Sequence, residues 1–428
     1  MKIELKYDDL IIKYLILSLP ILLISGPLLP EIAVGIIFFL IINKIIKNKI
    51  KFFDKIFTYL FLFFCFNLVV GSIFSEYLFF SLKPTLFYIR FFILILAIYY
   101  ILNNSNNFLK LLKNILLIVF LILIFDGIYQ YFFYENVIGL SNDNKTRISS
   151  FFGKELIYGS YLSRFLPILI GLLIFFNKDK FDKVIIYTII FFSLFAIFIS
   201  GERAAFILSL ISIVIIIFAT NFFSKSKFYI SVIIFALITL ITLSNEKLRI
   251  KWENTISNSF LNHASNQIII EGQNYPLILD KKYTYMTLSA IKMFKDKPII
   301  GHGVKTFRHI CKKKPYKFDE FDVYNFRLNC GNHPHNTYIQ LISETGIIGL
   351  SLVLFYFIFI TYSLINSFWN NQKKEKENIF DFRICILSCI FINLFPFTTT
   401  GNFFNNWLSI IYFFPLGFLF YLNEKYKY

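Results

Sequence analysis

The chain has 428 residues, 57% of them apolar and 20% aromatic, with a mean hydropathy of +0.65. That composition excludes a soluble protein of this length, and the apolar runs are long enough to cross a bilayer. The net charge of +17 would suit nucleic acid, but the charges sit in short segments between apolar runs, as the positive-inside rule requires, which argues against a nucleic-acid partner.

In chain order, Met1 to Asp9 is charged, and the apolar stretch after it runs on into further spans, so no cleavable signal is expected. The apolar runs predict about twelve spans: 10–29, 31–46, 55–73, 84–102, 113–133, 159–176, 183–200, 204–220, 228–244, 338–366, 383–398 and 405–422. The first two are split by Pro27 to Pro30, and the seventh and eighth meet at Ser200-Gly201-Glu202-Arg203. Lysine placement orients the chain. With the N-terminus inside, the inner loops hold Lys44, Lys47, Lys49, Lys51 and Lys55, then Lys110 and Lys113, then Lys178, Lys180 and Lys183, then Lys225 and Lys227, then Lys373, Lys374, Lys376 and Arg383. Both termini are then cytoplasmic. The expected organisation is spans one to nine in residues 1–244, one large outer loop in 245–337, and spans ten to twelve in 338–428.

That outer loop is the one polar, soluble-like segment. It holds Trp252, His263, His302, His309 and His333, and a loop of such length is expected to be ordered and functional. Within it, Met286, Ala290, Met293 and Phe294 have helical spacing, which would suit a helix lying on the membrane surface. Cys65, Cys385 and Cys389 fall inside spans as small apolar fillers. Cys311 and Cys330 fall in the loop, where an oxidising compartment favours a disulfide.

The stretch from Asn332 to Gly349 joins this loop to the tenth span. Pro334 suits the start of a helix and not its interior, so the helix is expected to begin near Asn336, which can cap it. His335 then lies at the positive end of the helix dipole, a field that favours neutral imidazole able to accept a proton. The free N–H groups of the same end suit an anion. Gly346 and Gly349 are three apart on one face, where a neighbouring helix can approach. The bland alternative is a loop-to-membrane junction with no chemistry.

His335-Asn336, nine residues, then Gly346-Ile347-Ile348-Gly349 resembles the histidine signature of bacterial O-antigen ligases. Pro298-Ile299-Ile300-Gly301-His302-Gly303-Val304-Lys305-Thr306-Phe307 resembles the P-x-x-G-x-G-x-x-x-F stretch that precedes it in O-antigen ligases and polymerases. The resemblance implies an all-α integral membrane fold of the GT-C type with a periplasmic loop domain, and a cell inner membrane glycosyltransferase of lipopolysaccharide biosynthesis. It implies an undecaprenyl-diphosphate-linked glycan donor, a lipid A-core acceptor, surrounding membrane lipids, inversion at the anomeric carbon, and neither cofactor nor metal.

It also points to further residues. Arg203, in the turn Ser200-Gly201-Glu202-Arg203-Ala204-Ala205-Phe206, matches an arginine of the family by type and topology; its planar fork suits a diphosphate, whereas the bland reading has it snorkel and pair with Glu202. Many relatives carry a second arginine about fifteen residues before the P-x-x-G-x-G stretch. Here that place is near Tyr283, preceded by Lys281 and Lys282, so a lysine, or Arg249, Arg308 or Arg327, would have to supply the charge. The segment from Arg147 to Leu162 also resembles the family, with Arg147 and Glu155 lining a substrate groove or anchoring the loop.

A rival use of His333 and His335 is zinc, with Cys311, Cys330 or His302; no C-x-x-C knuckle and no D-x-D triad supports it. Among functions, a polymerase would use the same donor with a second lipid-linked glycan. A flippase or transporter would need charged cavities within the spans, where charges are few (Arg90, Asp126, Arg164) and the polar mass is in the outer loop.

Overall fold

A computed structural model describes residues 6–47, 49–50, 52–141, 147–177, 180–223, 267–270, 273–276, 281–318, 330–369 and 377–426. The described chain is almost wholly helical. In order come α1 (Tyr7–Leu22), α2 (Leu28–Ile46), α3 (Lys55–Ile73), α4 (Leu78–Leu86), α5 (Arg90–Asn104), α6 (Phe108–Phe133), α7 (Tyr158–Phe175), α8 (Lys180–Ile199) and α9 (Arg203–Ala219). A small hairpin follows, β1 (Gln267–Ile270) against antiparallel β2 (Gln273–Pro276). The chain ends with α10 (Lys281–Asp296), α11 (Phe307–Ile310), α12 (Thr337–Trp369), α13 (Glu377–Asn393) and α14 (Asn406–Tyr426).

Eight helical segments among the described residues are long and apolar enough to cross a membrane, with α4 and α5 counting as one; α9 is apolar but shorter. Their surfaces carry large exposed side chains such as Phe39, Phe66, Phe125, Phe181 and Tyr362. A water-facing surface would not tolerate apolar patches of this extent, so lipid covers them. The protein is therefore a helical membrane protein. The expected span 228–244, with Trp252, His263, Arg249 and Arg327, lies outside the described residues.

Burial sorts the helices into a centre and a rim. The apolar windows of α7 and α14 are 89% buried, whereas that of α12 is 17% buried. At the centre, α7 packs on α13 and α14 on α5; α2, α3, α6, α8 and α12 line the outside. Gly171 lets the α7 backbone come close to α13, where an added Cβ would meet Phe382 at 2.6 Å. The centre is filled by aromatic rings, for example Phe91 stacked on Phe413 and Phe165 edge-on to Phe414.

The direction of each helix follows from its contacts. Cys389, late in α13, donates to the carbonyl of Arg164, early in α7, so these two run antiparallel. Arg90, opening α5, bonds Asn406, opening α14. The starts of α5, α7, α12 and α14 therefore share one end of the bundle with the segments 147–157, 298–318 and 394–405.

Two of the three interior charges turn out to be anchors of that end. Arg90 pairs with Glu31 at 3.0 Å. Asp126 accepts the Val137 N–H at 2.9 Å and the Ser150 hydroxyl.

Helix α10 departs from the expected surface helix. Its stripe of Met286, Ala290 and Met293 is buried against Phe307, Ile310, Cys311 and Tyr316, with Tyr77 and Ile339 alongside. This satellite core, and not lipid, takes the apolar face because α10 packs directly on α12. The sulfurs of Cys311 and Cys330 are bonded to each other, with Cα atoms 5.5 Å apart, at the edge of the same core. That bond removes both cysteines from any zinc set.

Candidate active site

The loop before α12 is held by the loop before α14. Asn336 caps α12: its Oδ1 accepts the N–H groups of Tyr338 at 2.9 Å and Ile339 at 3.1 Å. Its Nδ2 donates to the Pro396 carbonyl at 2.7 Å. Both ends of this amide are thus used in holding the loop. The His335 carbonyl accepts the Thr400 N–H at 2.8 Å, and His333 Nε2 lies 3.1 Å from the Thr400 carbonyl. His335 is left at φ 58°, a conformation rare for a residue with a side chain. Such strain persists only where surrounding contacts enforce it, and it gathers at functional sites.

The two imidazoles lie 4.2 Å apart, and Tyr283 of α10 sets its edge on His335 at 5.6 Å. Tyr283 is therefore in the site, with Lys281 and Lys282 exposed on the preceding turn. Because His333 Nε2 faces a carbonyl it must donate, which leaves Nδ1 as a bare acceptor; that atom is buried with no hydrogen-bond partner. Burial, then His335, then Arg308 lower the His333 pKa to about 4, so this ring is neutral. Arg308, on α11, is half-buried over Phe80. It also lowers the pKa of Lys305, for which burial is the larger cause. Arg308, just beyond the 298–307 stretch, is thus a cation within electrostatic reach of His333, and Lys305 lies within reach of Arg308.

That stretch is welded to α12 at Gly346, which breaks the helix with φ 63° and ψ −164°. The freed N–H of Ile347 donates to the Pro298 carbonyl at 2.8 Å. The freed carbonyls of Ser343 and Glu344 accept from His302 at 3.1 Å and Gly303 at 2.9 Å. Glu344, fully buried, takes the Lys305 N–H at 3.0 Å and the Phe307 N–H at 3.1 Å, and Gln340 Nε2 supports it at 2.9 Å. A Cβ on Gly301 would run into the Glu344–Thr345 peptide, and one on Gly346 into the Ile299 carbonyl. The glycine pair expected to seat a helix therefore corrects to something else: Gly346 admits a loop, backbone against backbone. Gly349 faces Asn67 of α3, whose amide reaches the Thr345 carbonyl at 3.4 Å.

A second cluster surrounds Arg203. Glu202 is buried, and its carboxylate takes the Gly159 N–H at 2.6 Å, the Ser160 N–H at 3.1 Å and the Ser160 hydroxyl at 2.7 Å. It thereby caps α7. Arg147 lies within electrostatic reach of it, and Ile148 N–H donates to the Ser200 carbonyl at 3.3 Å. Arg203 opens α9 beside this cap, exposed; Glu155 is exposed as well. The 147–162 and 200–206 segments are thus one unit, at the same end of the bundle as His335, since Glu202 sits on the start of α7.

Sequence reasoning missed Lys305, Gln340 and Glu344. The signal was present for the last two: polar residues four apart in an apolar run share one helix face and must find partners inside.

The fold and site define a multi-pass helical membrane protein with polar chemistry gathered at one end. Residues 188–354 match the profile of the family described as O-antigen ligase, a span that takes in Arg203, the 298–307 stretch, His335 and Gly349. That segment is thus similar to the O-antigen ligase and polymerase superfamily, whose members are glycosyltransferase-type enzymes. No curated protein matches the chain.

Proposed function

We propose that this protein is an inner-membrane glycosyltransferase of the O-antigen ligase type, moving a glycan from an undecaprenyl diphosphate to a sugar hydroxyl of the lipid A core. The site faces the periplasm, both termini the cytoplasm, and residues 245–337 form the outer loop of a twelve-span chain. The observation that carries this reading is His335: strained, ring to ring with a neutral His333 that lies in the field of Arg308, and inside the matched segment.

In the reaction the acceptor hydroxyl attacks the anomeric carbon from the face opposite the diphosphate. His335 takes the hydroxyl proton as the new C–O bond forms. The bond from carbon to the phosphate oxygen breaks, and its electron pair leaves with the diphosphate. Arg203, Arg147, Arg308, Lys305 and the Lys281–Lys282 pair offer cations to that growing charge. A single displacement inverts the anomeric carbon. No step calls for a metal or cofactor, and Asn336 serves by holding His335 in place.

A lipopolysaccharide gel of a strain lacking the protein tests the reading. The expected outcome is loss of all long chains from the core with lipid-linked polymer retained. Core bearing a single repeat would instead assign the polymerase reaction, which uses the same donor. Unchanged lipopolysaccharide would overturn both.

A further inference from the structure

The segment after α6 turns back along the helix it has just left. Tyr134 ends α6 at φ 65°, and residues 135–141 form a tight hairpin closed at its mouth by the Glu135–Ser141 bridge. The Val137 N–H donates to Asp126 Oδ1 at 2.9 Å, and the Leu140 carbonyl accepts from Gln130 Nε2 at 3.4 Å. Asp126 lies seven residues before the end of α6, about 10 Å along its axis. The hairpin is therefore laid against the last two turns of the helix.

Those turns lie within the span. Lys110 and Lys113 mark the other end of α6, and the apolar run goes from Ile115 to Phe133, about the twenty residues that a bilayer needs. Phe125, Phe132 and Phe133 are exposed on the lipid side of α6, and so are Val137, Ile138 and Leu140 of the hairpin. Ile138, near the tip, is 66% exposed. The apolar surface of the hairpin thus continues the lipid-facing surface of the helix.

Lipid excludes an irregular loop because its backbone N–H groups go unmet there. In this hairpin they are met. Asn136, 1% exposed, is the hub. Its Oδ1 accepts the N–H groups of Ile138 at 3.2 Å and Leu140 at 2.7 Å. Its carbonyl accepts that of Gly139 at 2.9 Å, and its own N–H donates to the Leu140 carbonyl at 3.1 Å. With Val137 on Asp126, every N–H from Asn136 to Leu140 has a partner inside the protein. A loop in water has no need of that, since solvent supplies the acceptors. The exposed Glu135 and Ser141 stand at the mouth and not at the tip.

The same side chains hold the segment that follows. Gln130 Oε1 accepts the N–H groups of Ser149 at 3.1 Å and Ser150 at 2.7 Å. The Ser150 hydroxyl donates to Asp126, and Asn136 Nδ2 reaches the Ser150 carbonyl at 3.4 Å.

We propose that residues 134–141 are a re-entrant membrane anchor, seated among the acyl chains just beneath the headgroups of the leaflet at the histidine end, and that it fixes the 147–152 segment to that leaflet. Its partner is bilayer lipid, met by apolar contact, with Glu135 keeping the mouth at the headgroups. The proposal goes beyond the glycosyltransferase reading and invokes no substrate.

The test uses the full-length protein in nanodiscs. The fluorescence of Ile138→Trp is read as the difference from the wild type, which carries Trp252, Trp369 and Trp407. Lipids brominated on the upper acyl chain are expected to quench the added signal about twofold, and aqueous acrylamide to leave it nearly unchanged. Leu140→Trp is expected to behave alike and carries the test if Ile138→Trp does not fold. Adding Asn136→Ala to either variant removes the acceptor of two N–H groups, so acrylamide quenching is expected to rise several-fold as the hairpin moves to water. Quenching of the single variants by acrylamide and not by brominated lipid would place the hairpin in water and overturn the proposal. Quenching by neither would mean that protein, such as a second copy of the chain, covers the hairpin, and would overturn it as well. So would an Asn136→Ala background that leaves both quenchers unchanged.

Discussion

The two clusters at the working end of the bundle are built on opposite plans. Around Arg203, the buried acid is fully occupied: Glu202 takes three donors from the first turn of α7 and leaves its neighbour exposed. Around His335, capacity is left open: the backbone is at positive φ, and His333 Nδ1 is buried without a partner. The first cluster is a satisfied scaffold that presents one side chain. The second holds strain and a bare acceptor, which stability alone would have removed.

Substitutions sharpen the contrast. The largest effect is expected from His335→Ala, which removes the proposed general base and should lower glycan transfer about 10²- to 10⁴-fold, with thermal stability little changed, since alanine keeps the Cβ that makes φ 58° costly. A radiolabelled transfer assay with a melting curve on the same preparation checks both halves. Arg203→Lys should follow, with a loss of roughly 10²-fold, because a point charge replaces the planar fork. Transfer at the wild-type rate would remove Arg203 from the mechanism.

Glu202→Ala should act on stability first. It strands two N–H groups and a hydroxyl at the start of α7, a cost of about 3 kcal/mol, read as a lower Tm. Glu202→Gln, which keeps an acceptor oxygen, should recover part of it. If Glu202→Ala melts like the wild type, the scaffold reading of this cluster fails.

The smallest effect is a pH dependence. Burial holds the His333 pKa near 4 in the folded protein, below its ordinary 6.5. The unfolded chain therefore binds more protons between those values. The stability from neutral His333 is complete above about pH 6.5 and is lost as pH falls toward 4, by about 3 kcal/mol at most. His333→Gln should flatten the Tm profile across that window while leaving it unchanged at pH 8.

Much of this was legible in the sequence, and the rest was hidden for physical reasons. Apolar runs marked the helices because a bilayer demands length and composition that few other structures share. Pro334 and Asn336 marked the start of α12, since a proline and a cap have restricted places there. The motif glycines were visible, but their purpose was not. Helical spacing places Gly346 and Gly349 on one face, and nothing local to the chain says that Gly346 leaves the helix to meet a loop forty-odd residues upstream. Arg164 was visible as a charge in a span. That its Nε and Nη1 are buried without a partner among the described residues depends on α7, α13 and α14 meeting, which no spacing encodes.

The break in α12 has a mechanical consequence. Four backbone groups around Gly346 are satisfied by the 298–303 stretch, where burial inside the protein keeps water from replacing them. Peeling the loop away would strand those groups in an apolar medium, so loop and helix cannot part company cheaply. They behave as one lever, with the histidine cap at its upper end and the lipid-facing length from Ile347 to Trp369 as its arm.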